Sequence, residues 1–104
     1  MIGLAVMLAA AGPGWETGNS LLSDCQSDNP AKQAFCLGYV GAIGDWTQSD
    51  PRLGSRVCLP AGGVRSQMVD VVVKYLKDNP AERAKGASLL VVLALREAFP
   101  CPQT

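Results

Sequence analysis

Asn29-Pro30-Ala31-Lys32-Gln33-Ala34-Phe35-Cys36-Leu37-Gly38-Tyr39-Val40-Gly41-Ala42-Ile43-Gly44-Asp45-Trp46 is the stretch whose reading decides the fold. Asn29 is a good helix N-cap, because its side-chain oxygen can accept from the free amides of a first turn. Pro30 suits the first helical position, where the missing N–H costs nothing. Phe35, Tyr39, Ala42, Ile43 and Trp46 then recur at i, i+4, i+7, i+8 and i+11, which predicts a helix with that stripe facing a core. Gly38, Gly41 and Gly44 fall every third residue, and each lowers helix propensity by up to about 1 kcal/mol relative to Ala. Their periodicity predicts a close helix approach. A phosphate-cradling loop fits poorly, since the glycines lie inside an apolar pattern and follow no strand.

On either side the same period continues. Upstream, Leu21, Leu22 and Cys25 share one face of a short helix over about 18–25. It ends in the turn residues Ser27-Asp28-Asn29-Pro30. Downstream, Thr47 to Gly63 reads as a long polar connection, of a length that is uncommon unless it has a function or is tied down. Val69, Val72, Val73 and Leu76 then form an i, i+3, i+4, i+7 face, predicting a third helix over about 66–77. The β-branched run Val71-Val72-Val73 favours a strand, but it does not alternate and no partner strand is visible. Asp70 and Lys74 would pair on the exposed side of that helix. A fourth helix is expected from Asn79-Pro80-Ala81-Glu82, which resembles a capping box, to Pro100, which stops it. Leu89 to Leu95 is apolar nearly all round, and such a helix belongs inside a bundle. The repeated Asp-Asn-Pro-Ala at Asp28 and Asp78 reads as one cap solution used twice. The fold class is therefore all-α, a small bundle of about four helices.

The chain has 104 residues, nine Lys plus Arg and nine Asp plus Glu, and no His. One domain fits that length. The zero net charge argues against nucleic acid as a partner, because phosphate binding needs a basic excess. It also leaves no polybasic patch for anionic lipid. The four cysteines, Cys25, Cys36, Cys58 and Cys101, are widely spread, with no CxxC. That spacing favours disulfides over a zinc site, and no metal or other cofactor is expected. Two antiparallel helical hairpins would bring Cys25 to Cys36 and Cys58 to Cys101, one of the three possible pairings. Disulfides call for an oxidising compartment. The uncharged start agrees: Ile2 to Ala11 is an apolar run closing on Ala9-Ala10-Ala11, which reads as a signal peptide over residues 1–11 ahead of a domain over 12–104. The run is too short for a membrane span, although no basic residue precedes it and a buried first helix is the competing reading.

Without His, no Ser-His or Cys-His nucleophile system can form. No carboxylate spacing singles out a catalytic pair, so binding and not catalysis is expected. The candidate contact residues lie in the polar connection: Asp45, Trp46, Gln48, Asp50, Arg52 and Arg56. Their competing reading is an ordinary solvated loop, with Trp46 in the core.

Cys36-Leu37-Gly38-Tyr39-Val40 with Asp45 closing the helix resembles the central motif of the Rap/Tai immunity proteins. Cys58-Leu59-Pro60 with Val64 and Gln67, Val72 to Leu76 with Asn79-Pro80, and Ala98-Phe99-Pro100-Cys101 complete the resemblance. Ala42 stands where a second family Gly is expected, and Gly62-Gly63 adds a loop residue. The resemblance implies a periplasmic helical protein that protects against type VI secretion amidases, which cut peptidoglycan peptides. It also implies a homodimer that obstructs the amidase groove. A different class remains open, a periplasmic acid-stress chaperone or an envelope structural module of similar build.

Overall fold

The computed structural model describes residues 15–102; the leader expected over 1–11 lies outside the described residues. The architecture is all-α. Helices α1 (Gly18–Cys25), α2 (Pro30–Ser49), α3 (Pro51–Gly54), α4 (Arg65–Asp78) and α5 (Ala87–Ala98) follow in order, with a 3-10 turn at Pro80–Glu82 before α5. There is no β-strand among the described residues.

Local side-chain chemistry starts four of the five helices. Thr17 and Ser20 satisfy one another's backbone amides at the head of α1. Asn29 Oδ1 accepts from the amides of Ala31 (2.9 Å) and Lys32 (3.3 Å), as its sequence position requires. At α4 the Gln67 side chain reaches back to accept from the Val64 amide at 3.1 Å. Asp50 ends α2 and caps α3 in the same stroke, its Oδ1 taking the Arg52 amide at 2.9 Å.

The helices enclose one core of Leu21, Val40, Val57, Val72, Leu76, Leu90, Val91 and Leu95, all essentially inaccessible to solvent. Helix α2 is the hub and packs against the other four helices. Two disulfides staple the bundle, with the pairing expected of two hairpins. Cys25–Cys36 joins α1 to α2, and Cys58–Cys101 joins the α3–α4 connection to the chain beyond α5, with Cα atoms 5.1 and 4.9 Å apart. Val57 pairs with Pro100 in an isolated bridge beside the second disulfide, and the Cys58 amide donates to Phe99 O at 2.8 Å. Thr17 bridges Gly86 in the same way, so both ends of α5 are tied to distant chain.

Four sequence expectations are corrected. The core face of α2 is Cys36, Val40, Gly44 and Thr47, one position on from the Phe35–Trp46 stripe. The glycines explain the shift. A Cβ on Gly41 would meet the Arg65 side chain at 2.7 Å, and one on Gly44 would meet Met68 Sδ at 3.3 Å. Helix α4 approaches over those small residues, and the bulky stripe is turned to the flank. Gly38 faces open space and takes no part. Second, the polar connection is not all loop: α2 runs to Ser49 and α3 follows at once. Thr47 is buried and its hydroxyl donates to Gly44 O at 2.7 Å, a back-bond that lets a helix bury a polar side chain. Third, Asn79 does not cap α5. Its Nδ2 donates to Tyr75 O at 2.8 Å, which closes α4, and α5 begins only after the Gly86 break. Leu90, Val91, Ala94 and Leu95 of the apolar run are buried as expected, while Leu89 is 51% exposed, so one side of α5 reaches the surface. Fourth, Lys74 pairs with Asp78 at 2.6 Å, one turn onward, and not with Asp70.

Candidate functional site

Asp45, Trp46, Gln48, Asp50, Arg52 and Arg56 all sit at one end of the bundle, on the last turns of α2, on α3 and just beyond it. They do not all face the same way. Successive helix positions turn by about 100°, so Asp45 and Trp46 look out on different flanks of α2. Asp45 lines a notch with Leu59, Pro60 and Met68. Trp46, 48% exposed, ends the flanking stripe.

Gln48 is committed to the fold. Its Nε2 donates to Val57 O at 2.8 Å and to Thr47 Oγ1 at 3.1 Å. Val57 is fully buried, and loss of that donor would leave its carbonyl short of a partner. Gln48→Ala is expected to lower the unfolding free energy by about 1 kcal/mol in urea titration. A change in partner affinity without loss of stability would reverse the assignment.

Asp50 and Arg52 answer one another. Arg52 donates through Nη2 to Asp50 Oδ2 at 3.1 Å and through Nε to Oδ1 at 3.3 Å. The guanidinium holds the Asp50 carboxyl below the usual aspartate range. Arg56 lines an open concavity with Ser55, Arg96 and Pro100. Arg96 was not singled out in the sequence, because a basic residue in the last turn of α5 reads first as a match to the helix dipole.

The feature that sequence reading missed is the flank of α2. Phe35 is 47% exposed, Ala42 is exposed, and Tyr39 and Ile43 are half-buried, so with Trp46 they form an apolar strip. At 1.5 Å per residue the strip from Phe35 to Trp46 is about 17 Å long. The Phe35 and Tyr39 rings lie 5.7 Å apart. Burial pushes the Tyr39 phenol up, opposed by Ser88 and aided by the Glu16 charge, so it stays neutral at the strip's edge. In the sequence the strip carries the signature of a core face, because a half-exposed stripe and a buried one have the same period. Among the described residues, no three His, Cys, Asp or Glu side chains converge as a metal site. No described helix is long and apolar enough to cross a membrane.

Known proteins bear on this arrangement in one way. No curated protein and no solved structure matches the chain. The family model of the Rap1a immunity proteins matches residues 17–101, from the cap of α1 to the last cysteine. That span takes in every helix, both disulfides and the Cys36–Asp45 and Ala98–Cys101 motifs, and the chain belongs to the Rap1a immunity protein family.

Proposed function

We propose that this chain is an exported immunity protein that neutralises a type VI peptidoglycan amidase by covering the amidase's active-site groove. The family match over residues 17–101 carries the reading, since an immunity function implies a protein effector as partner. Two disulfides fit the oxidising periplasm where such an effector would act. The family match favours occlusion, and with no His in the chain and all four cysteines in disulfides there is no Ser-His pair or free thiolate to act as a nucleophile. The contact face is the α2–α3 end of the bundle. Trp46 is its anchor, because an aromatic held on a rigid helix loses little entropy on docking. Arg52 and Arg56 supply the rim, and the protein acts as a homodimer.

The test is inhibition of purified type VI amidases on peptidoglycan fragments, with binding followed by calorimetry. The wild type should bind one amidase tightly, and Trp46→Ala should weaken binding by about 30-fold. Charge reversal at Arg56 should act mainly on the association rate and its salt dependence. Failure of the oxidised wild type to bind or inhibit any amidase in the panel would defeat the reading.

A further inference from the structure

Residues that are far apart in the sequence converge on one notch between the C-terminal part of α2 and the start of α4. Asp45 stands at its edge, and Leu59, Pro60, Val64, Met68 and Phe99 line it, around a volume of about 190 Å³. Leu59, Met68 and Phe99 are only half-buried, and Val64 is 52% exposed, so the apolar wall is open to a visitor. Gly44 sets its depth, since a Cβ there would press on Met68 and Leu59.

The charge at the notch is one-sided. The three ion pairs among the described residues use Asp50, Asp78 and Glu82, and Asp45 is in none of them. Its carboxylate accepts no hydrogen bond from a described side chain. Arg65, on the neighbouring helix, lies against Gly41 one turn earlier. The last turn of α2 carries no basic residue, so its own helix end offers Asp45 no cation. An apolar wall beneath an unmatched negative charge fits a side chain with an aliphatic stem and a cationic tip.

We propose that this notch is a docking socket for a lysine or arginine side chain of the protein partner, with the stem against Leu59, Met68 and Phe99 and the cation on Asp45. The partner's identity as an effector rests on the immunity reading above; the socket's chemistry does not. Asp45 stands about 100° around α2 from Trp46, so the socket adds an electrostatic point of engagement to the Trp46 anchor. Selectivity follows from it, because an effector lacking a cation there would leave Asp45 facing apolar surface.

The probe is Nα-acetyl-arginine amide, titrated into the oxidised, isotope-labelled chain at low salt and followed by amide NMR. Nα-acetyl-norleucine amide is the uncharged control. Saturable shifts confined to Asp45, Leu59, Val64 and Met68, about tenfold weaker with the control and abolished in Asp45→Asn, support the socket. Equal response to both probes, or to wild type and Asp45→Asn, overturns it. With an amidase that the wild type binds, Asp45→Asn should weaken the complex by about tenfold. Unchanged amidase affinity in Asp45→Asn overturns the partner assignment and leaves the immunity reading standing. If no amidase binds the wild type, the immunity reading fails, and a loss of the localised shifts in Asp45→Asn still supports the socket.

Discussion

Replacing Cys58 and Cys101 together by Ala should lower the unfolding free energy by about 4 kcal/mol. The bond spans 43 residues of sequence, and the loop-closure entropy it removes from the unfolded chain grows with the logarithm of that length. Opening Cys25–Cys36, with a separation of 11, should cost about 3 kcal/mol when the buried sulfur of Cys36 is refilled as Cys25→Ala/Cys36→Val. A small domain has only about 5–15 kcal/mol of stability in all, so the longer bridge is a large share. Its loss should also be felt locally. The Cys58 amide, which donates to Phe99 O, and the Val57–Pro100 bridge hold the α3–α4 connection against the end of α5. Hydrogen exchange should rise first there, while the α1–α2 hairpin stays protected by its own bridge. Denaturant titration of the oxidised proteins measures the first effect, and amide exchange the second. If the Cys25/Cys36 double variant were the less stable of the two, chain entropy would not be the governing quantity.

The sequence was legible where one local rule sufficed. Asn29 and Pro30 mark a helix start by chemistry confined to one turn, and the structure places α2 there. The cysteine pairing was legible because two short connections force antiparallel neighbours. The period of α2 was legible too, but not its phase. Phe35, Tyr39, Ile43 and Trp46 are the larger residues, and a hydrophobicity count gives them the core. The inward face was decided by Gly41 and Gly44, whose contribution is absent volume that lets α4 come close. Such a contribution depends on a partner helix that sequence distance hides. The candidate site suffered the same way. Gln48 looks like a surface amide until Val57 O is found beside it, nine residues on. Asp45 was found by its motif, while Leu59, Met68 and Phe99, which turn it into part of a notch, come from three separate segments.

The same kind of hidden steric constraint makes Gly18 the position most sensitive to added volume. It opens α1, where its helical conformation needs no glycine and nothing in the sequence marks it. A Cβ built there lies 2.5 Å from Leu90 Cδ1 and 3.0 Å from both the Cα and the carbonyl oxygen of Arg83. Neither neighbour can give way cheaply. Leu90 is wholly buried in the core. Arg83 is fixed by the Asn19 amide, which donates to its carbonyl at 2.9 Å, while Gly18 N donates to Lys85 O and Ala87 N to Glu16 O. Gly18→Ala should therefore cost about 2 kcal/mol despite the better helix propensity of Ala, and Gly18→Val about 3 kcal/mol or more. Urea titration of the oxidised variants checks both values. Leu90→Val, which withdraws the clashing methyl, should cost about 1 kcal/mol alone. Combined with Gly18→Ala it should cost less than the sum, because one of the two clashes is gone. The backbone contact to Arg83 remains, so rescue should be partial. A neutral or stabilising Gly18→Ala would mean that α1 can lift from the 83–87 segment. The docking of α1 on the start of α5 would then be looser than these distances require.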